Sequence, residues 1–446
     1  MAEENKLTDK RTKDFEVAII GAGPAGMMAG IRATELGAKV VIIEKNPKPG
    51  RKLLITGQGR CNITQNETEL KKLIEKFGAN GKFLFSSLHM FGPKEVMNFF
   101  ENQNLAVKTE RGGRVFPESD KAIDVVNVLI KNLARNKVKM IFKTEVLDFE
   151  LKGDKIEGVI FRETDSGAKK IIRADKYILC LGGKSYPATG SSGDGYRWLK
   201  KMGHTIIEPR PALVPIITKE SWVKDCQGLS LKNVSVRIIQ NNKKQAERFG
   251  EMIFTHFGVS GPIILDISKT VGELLKNGAV GLEIDLKPTL DFQTLDERLK
   301  RDFGKNLNKN FKNYLPELLP RKMIPIIIKL SGIAGNKKIN SITKIERKKL
   351  MLILKNLKLT VAGLRGFDQA IITAGGVNLK EIDPQTMHSK IIANLFLAGE
   401  ILDLDGPTGG YNLQAAWSTG YAAGNYAGKI CAKLNKKKDT TAVISF

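Results

Sequence analysis

The chain has 446 residues, 42% of them hydrophobic and 27% charged, enough for two or three domains with their own cores. No stretch approaches the run of about 18 apolar residues that a membrane-spanning helix needs. The opening MAEENKLTDKRTKD lacks the apolar core of a signal peptide, so a soluble cytoplasmic protein is expected. Four cysteines (Cys61, Cys180, Cys226, Cys431) form no C-x-x-C pair and the four histidines have no ligand-like spacing, so neither a closely spaced redox disulfide nor a metal centre is expected.

Lysine and arginine outnumber aspartate and glutamate by 72 to 47, a net charge of +25. Such a charge attracts nucleic acid, anionic membrane or acidic substrates, or it simply keeps the surface solvated. The basic residues are scattered, with short clusters such as Lys436, Lys437 and Lys438. The solvating reading is therefore favoured, and nucleic acid is kept as the alternative partner.

In chain order, residues 15–20 read as a buried strand, 27–36 as an amphipathic helix that stops at Gly37, and 39–44 as a second strand. The turn of this βαβ unit is Gly21-Ala22-Gly23-Pro24-Ala25-Gly26. Gly21 permits a tight turn, Gly23 lets a pyrophosphate approach the backbone, and Gly26 lets the helix lie close on the sheet. Glu44, followed by Lys45, ends the second strand, where a carboxylate can accept from both ribose hydroxyls of an adenosine. Its charge opposes a 2′-phosphate, so FAD or NAD is expected and NADP is not.

Next comes PGRKLLITGQGRCN, residues 49–62, in which Arg51, Lys52 and Arg60 stand among Gly50, Gly57 and Gly59. Basic groups on a flexible backbone beside a phosphate site suit a pyrophosphate and the electron-rich edge of a flavin. Residues 120–135 place Ala122, Val125, Val126, Leu129, Ile130 and Leu133 on one helical face, and 139–146, 156–161 and 177–181 read as strands. A second glycine cluster, residues 182–195, lacks G-x-G-x-x-G and a following acidic residue. It gives no dedicated NAD(P)H domain, so a nicotinamide donor would enter the substrate cleft only transiently.

Composition changes near residue 204. Short strands and prolines fill 210–268, short helices 290–330, and Rossmann-like character returns near 366. The expected boundaries are a first cofactor segment at 14–204 and an insertion at 205–365, β-rich over about 205–270 and helical over about 285–345. A second cofactor segment follows at 366–430, then a basic tail at 431–446. Near the end, Gly399 and Glu400 precede DLDGPTGGYNLQAAW. A helix starting near Tyr411 would aim its N-terminal amides at a bound ring, with Gly409 and Gly410 allowing close approach. An extended FAD reaches such a distant helix, which selects FAD over NAD.

GRKLLITGQGRCNIT, GEMIFTHFGVSGPIILDIS, ITAGGVNLKEIDPQTMHSK and AGEILDLDGPTGGYNLQAAWSTGYAAG together resemble the BaiN/YhiN-like (aminoacetone-oxidase-type) family of FAD-dependent bacterial flavoproteins, over about residues 14–430. The resemblance implies an α/β fold: a discontinuous Rossmann-type FAD-binding domain with an inserted β-barrel-like subdomain and a small helical subdomain. It implies FAD contacts at residues 21–26, Glu44, Arg51, Lys52, Arg60, Cys61, Asn62, Val146, Gly399, Glu400, Asn412 and Leu413. Gly182 opens a segment that resembles the one by which fumarate-reductase-like flavoproteins approach the isoalloxazine.

The expected activity is an FAD-dependent oxidoreduction of a small organic substrate. It is either an NAD(P)H-linked reductase or dehydrogenase, such as an enone or steroid-like reductase, or an oxygen-using amine or aminoketone oxidase. An RNA-modifying flavoprotein is the alternative. His256 and Tyr186 are the candidate proton donors, and Cys61 reads as a buried, inert thiol.

Overall fold

The computed structural model describes residues 13–443, with side chains described as far as residue 433. The chain forms two compact units: the segments up to Arg210 and from Ile372 onward make one, and Pro211–Ile371 makes the other.

The first unit is built on a five-stranded parallel sheet in the order Leu395–Leu397, Ala174–Leu179, Phe15–Ile20 (β1), Val40–Ile43 (β2), Lys139–Ile141. Parallel sheets are covered on both faces, so their strands read as unbroken apolar runs. In β2 all four residues of VVII are buried. Between β1 and β2 runs α1 (Pro24–Glu35).

The strand expected at 139–146 divides in two. Lys139–Ile141 joins the parallel sheet, while Thr144–Lys152 pairs antiparallel with Lys155–Glu163, which pairs in turn with Lys169–Ile172. The break falls at Lys143, whose φ of +51° is a left-handed conformation uncommon for lysine and invisible to hydrophobic periodicity.

The C-terminal helix, Tyr411–Val443, packs on α1 through small residues one turn apart. A Cβ at Gly420 would lie 2.3 Å from the Ala25 carbonyl oxygen, one at Gly424 2.2 Å from that of Ala29, and one at Gly428 3.1 Å from that of Ala33. Residues 431–443 continue this helix, and Lys436, Lys437 and Lys438 fall beyond the described side chains.

The second unit contains a closed antiparallel barrel in the order Ile216–Thr218, Gly258–Ser260, Lys243–Phe254, Ser230–Gln240, Gly281–Asp285, Leu357–Leu364. Its helical part includes Phe292–Lys305, Ile324–Ser331 and Lys344–Lys355. Asp291 caps the first of these through the Thr294 N–H, and Thr343 with Glu346 forms a capping box on the last. A buried ion pair, Lys355 to Asp285 at 2.6 Å, ties that helix to the barrel. The fold class is therefore the expected one: an α/β Rossmann-type core with an inserted barrel and a helical part.

One polar cluster in the first unit escapes sequence reading. The buried ring of His204 has Nδ1 3.1 Å from Glu381 Oε2 and Nε2 2.9 Å from Ser389 Oγ. Ser389 Oγ already accepts the N–H groups of Ile391 and Ile392, so its proton goes to Nε2 and the ring proton sits on Nδ1, facing Glu381. The wiring is that of a hydrolytic triad, but Ser389 is buried and its lone pairs are filled, so it acts as a staple on the loop between Val377 and Leu395.

Burial holds His204 below its ordinary value of 6.5. Burial raises Glu381, but hydrogen bonds from Thr205 and His204 outweigh it and leave that carboxyl low. Both shifts act in one direction: the unfolded chain takes up protons first as pH falls. The staple's contribution is full above the ordinary histidine value and is lost as pH drops through it. The urea midpoint is expected to fall between about pH 7 and pH 5, and less steeply in His204→Gln. Equal slopes in the two proteins would contradict this.

Candidate functional site

β1 ends at Ile20 and the chain turns at Gly21, whose φ is +102° and whose added Cβ would lie 2.4 Å from the Cys180 carbonyl oxygen. Gly26 fits because a Cβ there would lie 1.9 Å from the Gly21 oxygen. Gly23 is the N-cap of α1, Pro24 is at its first turn, and no side chain caps the helix. A Cβ on Gly23 would meet nothing within 4 Å. The helix thus presents unpaired N–H groups and the positive end of its dipole to open space.

Glu44, 8% exposed, accepts from the Ala22 N–H at 2.8 Å and from the Asn46 N–H and Nδ2 at 2.8 and 2.7 Å. Asn46 also donates to the Thr189 carbonyl at 3.1 Å and accepts from Arg51 at 2.9 Å. Lys45 reaches Ser192 and Asp194. The second glycine cluster is thereby joined to the end of β2. Gly182 has a φ of +70°, and a Cβ there would press on Ser191 Oγ at 2.8 Å.

Between Thr56 and Asn62 the backbone is left-handed at Gly57, Gln58, Gly59 and Cys61, with φ of +55°, +59°, +85° and +61°. A non-glycine residue held this way costs about 1–3 kcal/mol and needs surroundings that fix it. Arg60 supplies them: its guanidinium bonds Asp120 at 2.8 and 2.6 Å, pairs with Glu110, and lies 4.0 Å over the Phe116 ring. The Arg60 charge, which the sequence reading placed beside the phosphates, is committed to two carboxylates. The Cys61 thiol is buried, which pushes its pKa up to about 12 and leaves it inert.

Lys52 Nζ is 2.7 Å from both Glu400 Oε2 and Ser185 Oγ. Glu400 Oε1 accepts from Ser185 Oγ at 2.7 Å and from the Thr373 N–H at 2.8 Å, and Thr373 Oγ1 accepts from the N–H groups of Lys184 and Ser185. Four separate segments meet in this knot. Ser185, Thr373 and Asn46 were not singled out from sequence; only the position of Asn46, two residues past Glu44, offered a signal.

Gly399 packs against Ala25, where a Cβ would be 2.9 Å from the alanine methyl. Gly409 and Gly410 have φ of +117° and +99°, and a Cβ on Gly410 would lie 2.4 Å from the Thr64 carbonyl and 3.0 Å from Asn62 Oδ1. The C-terminal helix begins at Tyr411, with the Asn412 side chain holding the preceding turn through Gly406 and Pro407, and Leu413 half-buried. Asn62 Oδ1 and Gln65 Oε1 are buried beside this turn without a hydrogen-bond partner. Val146 is buried at a bulge in its strand, two residues past the Thr144 N–H that bonds the Glu44 carbonyl.

Tyr186, with a φ of +50°, is half-buried on the second glycine cluster, and its hydroxyl has no hydrogen-bond partner among the described residues. His256 belongs to the other unit, where it is exposed and stands edge-on to Phe257. Among the described residues no three His, Cys, Asp or Glu side chains group as metal ligands, and no helix is long and apolar enough to cross a membrane.

The family model for the HI0933-like protein Rossmann domain matches residues 15–426. A 3-dehydro-bile acid delta(4,6)-reductase of Clostridium scindens is 33% identical, over 92% of this chain and 98% of its own length. A ribosomal RNA dihydrouridine synthase of Haemophilus influenzae is 29% identical, over 91% of this chain and 97% of its own. In fold, the chain is similar to a 3-ketosteroid-Δ4-(5α)-dehydrogenase from Rhodococcus jostii, with a TM-score of 0.53 at 14% identity over 95% of this chain and 98% of that one. The chain belongs to the HI0933-like Rossmann family, a family of FAD-dependent oxidoreductases.

Proposed function

We propose that the protein is an FAD-dependent reductase that saturates a carbon–carbon double bond conjugated to a carbonyl. The carrying observation is the nearly full-length similarity to the bile acid delta(4,6)-reductase. The name dihydrouridine synthase describes the same chemistry, since C5=C6 of uracil is conjugated to its C4 carbonyl. An amine-oxidase reading has no observation of its own.

The residues present fit FAD. The gap in front of Gly23 and the α1 N-terminus take the pyrophosphate. A carboxylate has about four acceptor positions; three on Glu44 are filled by Ala22 and Asn46, leaving one for a ribose hydroxyl. Asn62 Oδ1 and Gln65 Oε1 are buried acceptors lacking a donor, which the N–H and O–H groups of a flavin and its ribityl chain provide. The N-terminus of the Tyr411–Val443 helix favours negative charge on the ring. When bound, FAD supplies the two-electron carrier. A nicotinamide nucleotide entering transiently is the proposed electron donor.

Saturation also needs a proton at the carbon α to the carbonyl. Tyr186 is the proposed donor, because its left-handed backbone and unpartnered hydroxyl are costs that folding alone does not require. His256 is the second choice. A second reading of the substrate, a uridine within RNA, is favoured by the charge of +25 and by the dihydrouridine synthases among the relatives.

The purified protein is expected to be yellow and to release FAD, not FMN, on acid treatment. Gly23→Val should retain less than about a tenth of the parent's FAD, because a branched side chain fills the pyrophosphate's space. Glu44→Gln should weaken FAD binding by about 1.5–3 kcal/mol in a titration of the apoprotein. Full FAD occupancy in Gly23→Val would refute the cradle. Tyr186→Phe should keep its FAD but lower enone-stimulated NAD(P)H oxidation by about 10²–10⁴-fold; unchanged turnover would remove Tyr186 from the chemistry.

A further inference from the structure

The positive charge is not spread evenly. Residues 292–355, about one-seventh of the chain, hold 16 lysines and arginines against five aspartates and glutamates, +11 of the net +25. Part of this charge is internally compensated: Arg347 and Lys300 pair with Asp296, Lys337 with Glu346 and Lys309 with Glu317. Lys305, Lys312, Lys329, Lys344, Lys348 and Lys349 are exposed, and none pairs with a carboxylate among the described residues.

Three of these lysines belong to one turn. Helix Ile324–Ser331 ends at Gly332, which is left-handed with φ of +70°. Lys349 Nζ lies 3.4 Å from where a Cβ on Gly332 would stand. The stem of Lys312 lies against Gly335, its Cβ 3.5 Å and its Cδ 3.8 Å from the corresponding position. Lys329 is in the last turn of the same helix.

Within the turn, the backbone N–H groups of Ala334, Gly335 and Asn336 donate to no acceptor among the described residues, and all three residues are at least partly exposed. Consecutive free N–H groups on a turn form an anion-binding concavity, and here it is bordered by three lysines. A glycine-containing turn also lets a phosphodiester backbone approach the main chain closely, as glycine loops between helices do in RNA-binding modules.

We propose that this turn, Gly332 to Asn336 with Lys312, Lys329 and Lys349, is a docking surface for the phosphate backbone of RNA. The inference rests on the RNA reading of the substrate given above and adds where the strand is gripped. RNA is favoured over an anionic membrane because Ile345 and Leu352, 80% and 50% exposed, are too few and too interrupted by lysines to make a continuous apolar face. The grip reads phosphate and not sequence, and the base-reading contacts lie elsewhere.

The test compares the FAD-loaded parent with the triple variant Lys312→Glu, Lys329→Glu, Lys349→Glu. The probes are a fluorescein-labelled uridine-containing RNA stem-loop and vesicles of phosphatidylglycerol. At about 0.1 M salt the variant should bind the RNA at least tenfold more weakly, and its plot of log K against log[salt] should be shallower by about 2. FAD content and melting temperature should match the parent; the Lys→Gln triple variant, expected to lose less affinity, covers the case in which charge reversal unfolds the module. If the parent binds RNA and both variants bind equally well with the same salt slope, this surface is wrong while the RNA reading stands. If the parent binds only the vesicles, or neither probe, the RNA reading and the surface fall together.

Discussion

Helix α1 is held between two backbones with almost no side chain in between. On one side Gly26 sits against the Gly21 carbonyl, and on the other Gly420, Gly424 and Gly428 sit against the carbonyls of Ala25, Ala29 and Ala33. Adding a methyl group at such a contact forces the elements apart at a cost of about 1–3 kcal/mol. The spacing of four keeps the three C-terminal glycines on one helical face, so the last helix seats along α1 and brings the far end of the chain back to its beginning. The direction of the α1 N-terminus, and the open space in front of Gly23, follow from that packing.

The rest of the site is arranged around this fixed axis by polar contacts. Glu44 is anchored to Ala22 within the turn, and Lys52 is anchored to Glu400, next to Gly399, which touches α1 at Ala25. The left-handed stretch at Gln58 and Cys61 is unfavourable by itself and persists because Arg60 is clamped by Asp120 and Glu110. Arg60 therefore shapes the loop that carries Asn62, whose Oδ1 stands beside Gly410. The donors and acceptors left over after this internal bonding are the ones available to a ligand.

What was legible from sequence was local. The strand, glycine turn and helix at residues 15–35 depend on neighbours within a few residues, and so does the start of the helix at Tyr411, announced by the two glycines before it. The Lys52–Glu400 pair, 348 residues apart, the His204–Glu381 contact, 177 apart, and the Arg60–Asp120 clamp, 60 apart, are created by the fold and leave no periodic trace. The break at Lys143 was missed because a lysine in the left-handed region violates the preference on which strand reading relies. The charge was misjudged differently: read along the whole chain it looks scattered, and only its sum over the helical module exposes the excess.

The chemistry proposed for this framework is one reaction, delivery of two electrons and a proton across a conjugated double bond, whether the bond belongs to a small ketone or to a uracil ring. The most direct test is to reduce the FAD-loaded protein photochemically without oxygen or nicotinamide, then mix it with a 3-oxo-4-ene steroid or with a uridine-containing RNA. The account predicts that one of the two restores the oxidised flavin absorption in stoichiometric amount and leaves a product about two mass units heavier than its substrate, since one hydride and one proton are added. Reduced flavin that stays bleached with both, and recovers only when oxygen is admitted, would contradict it.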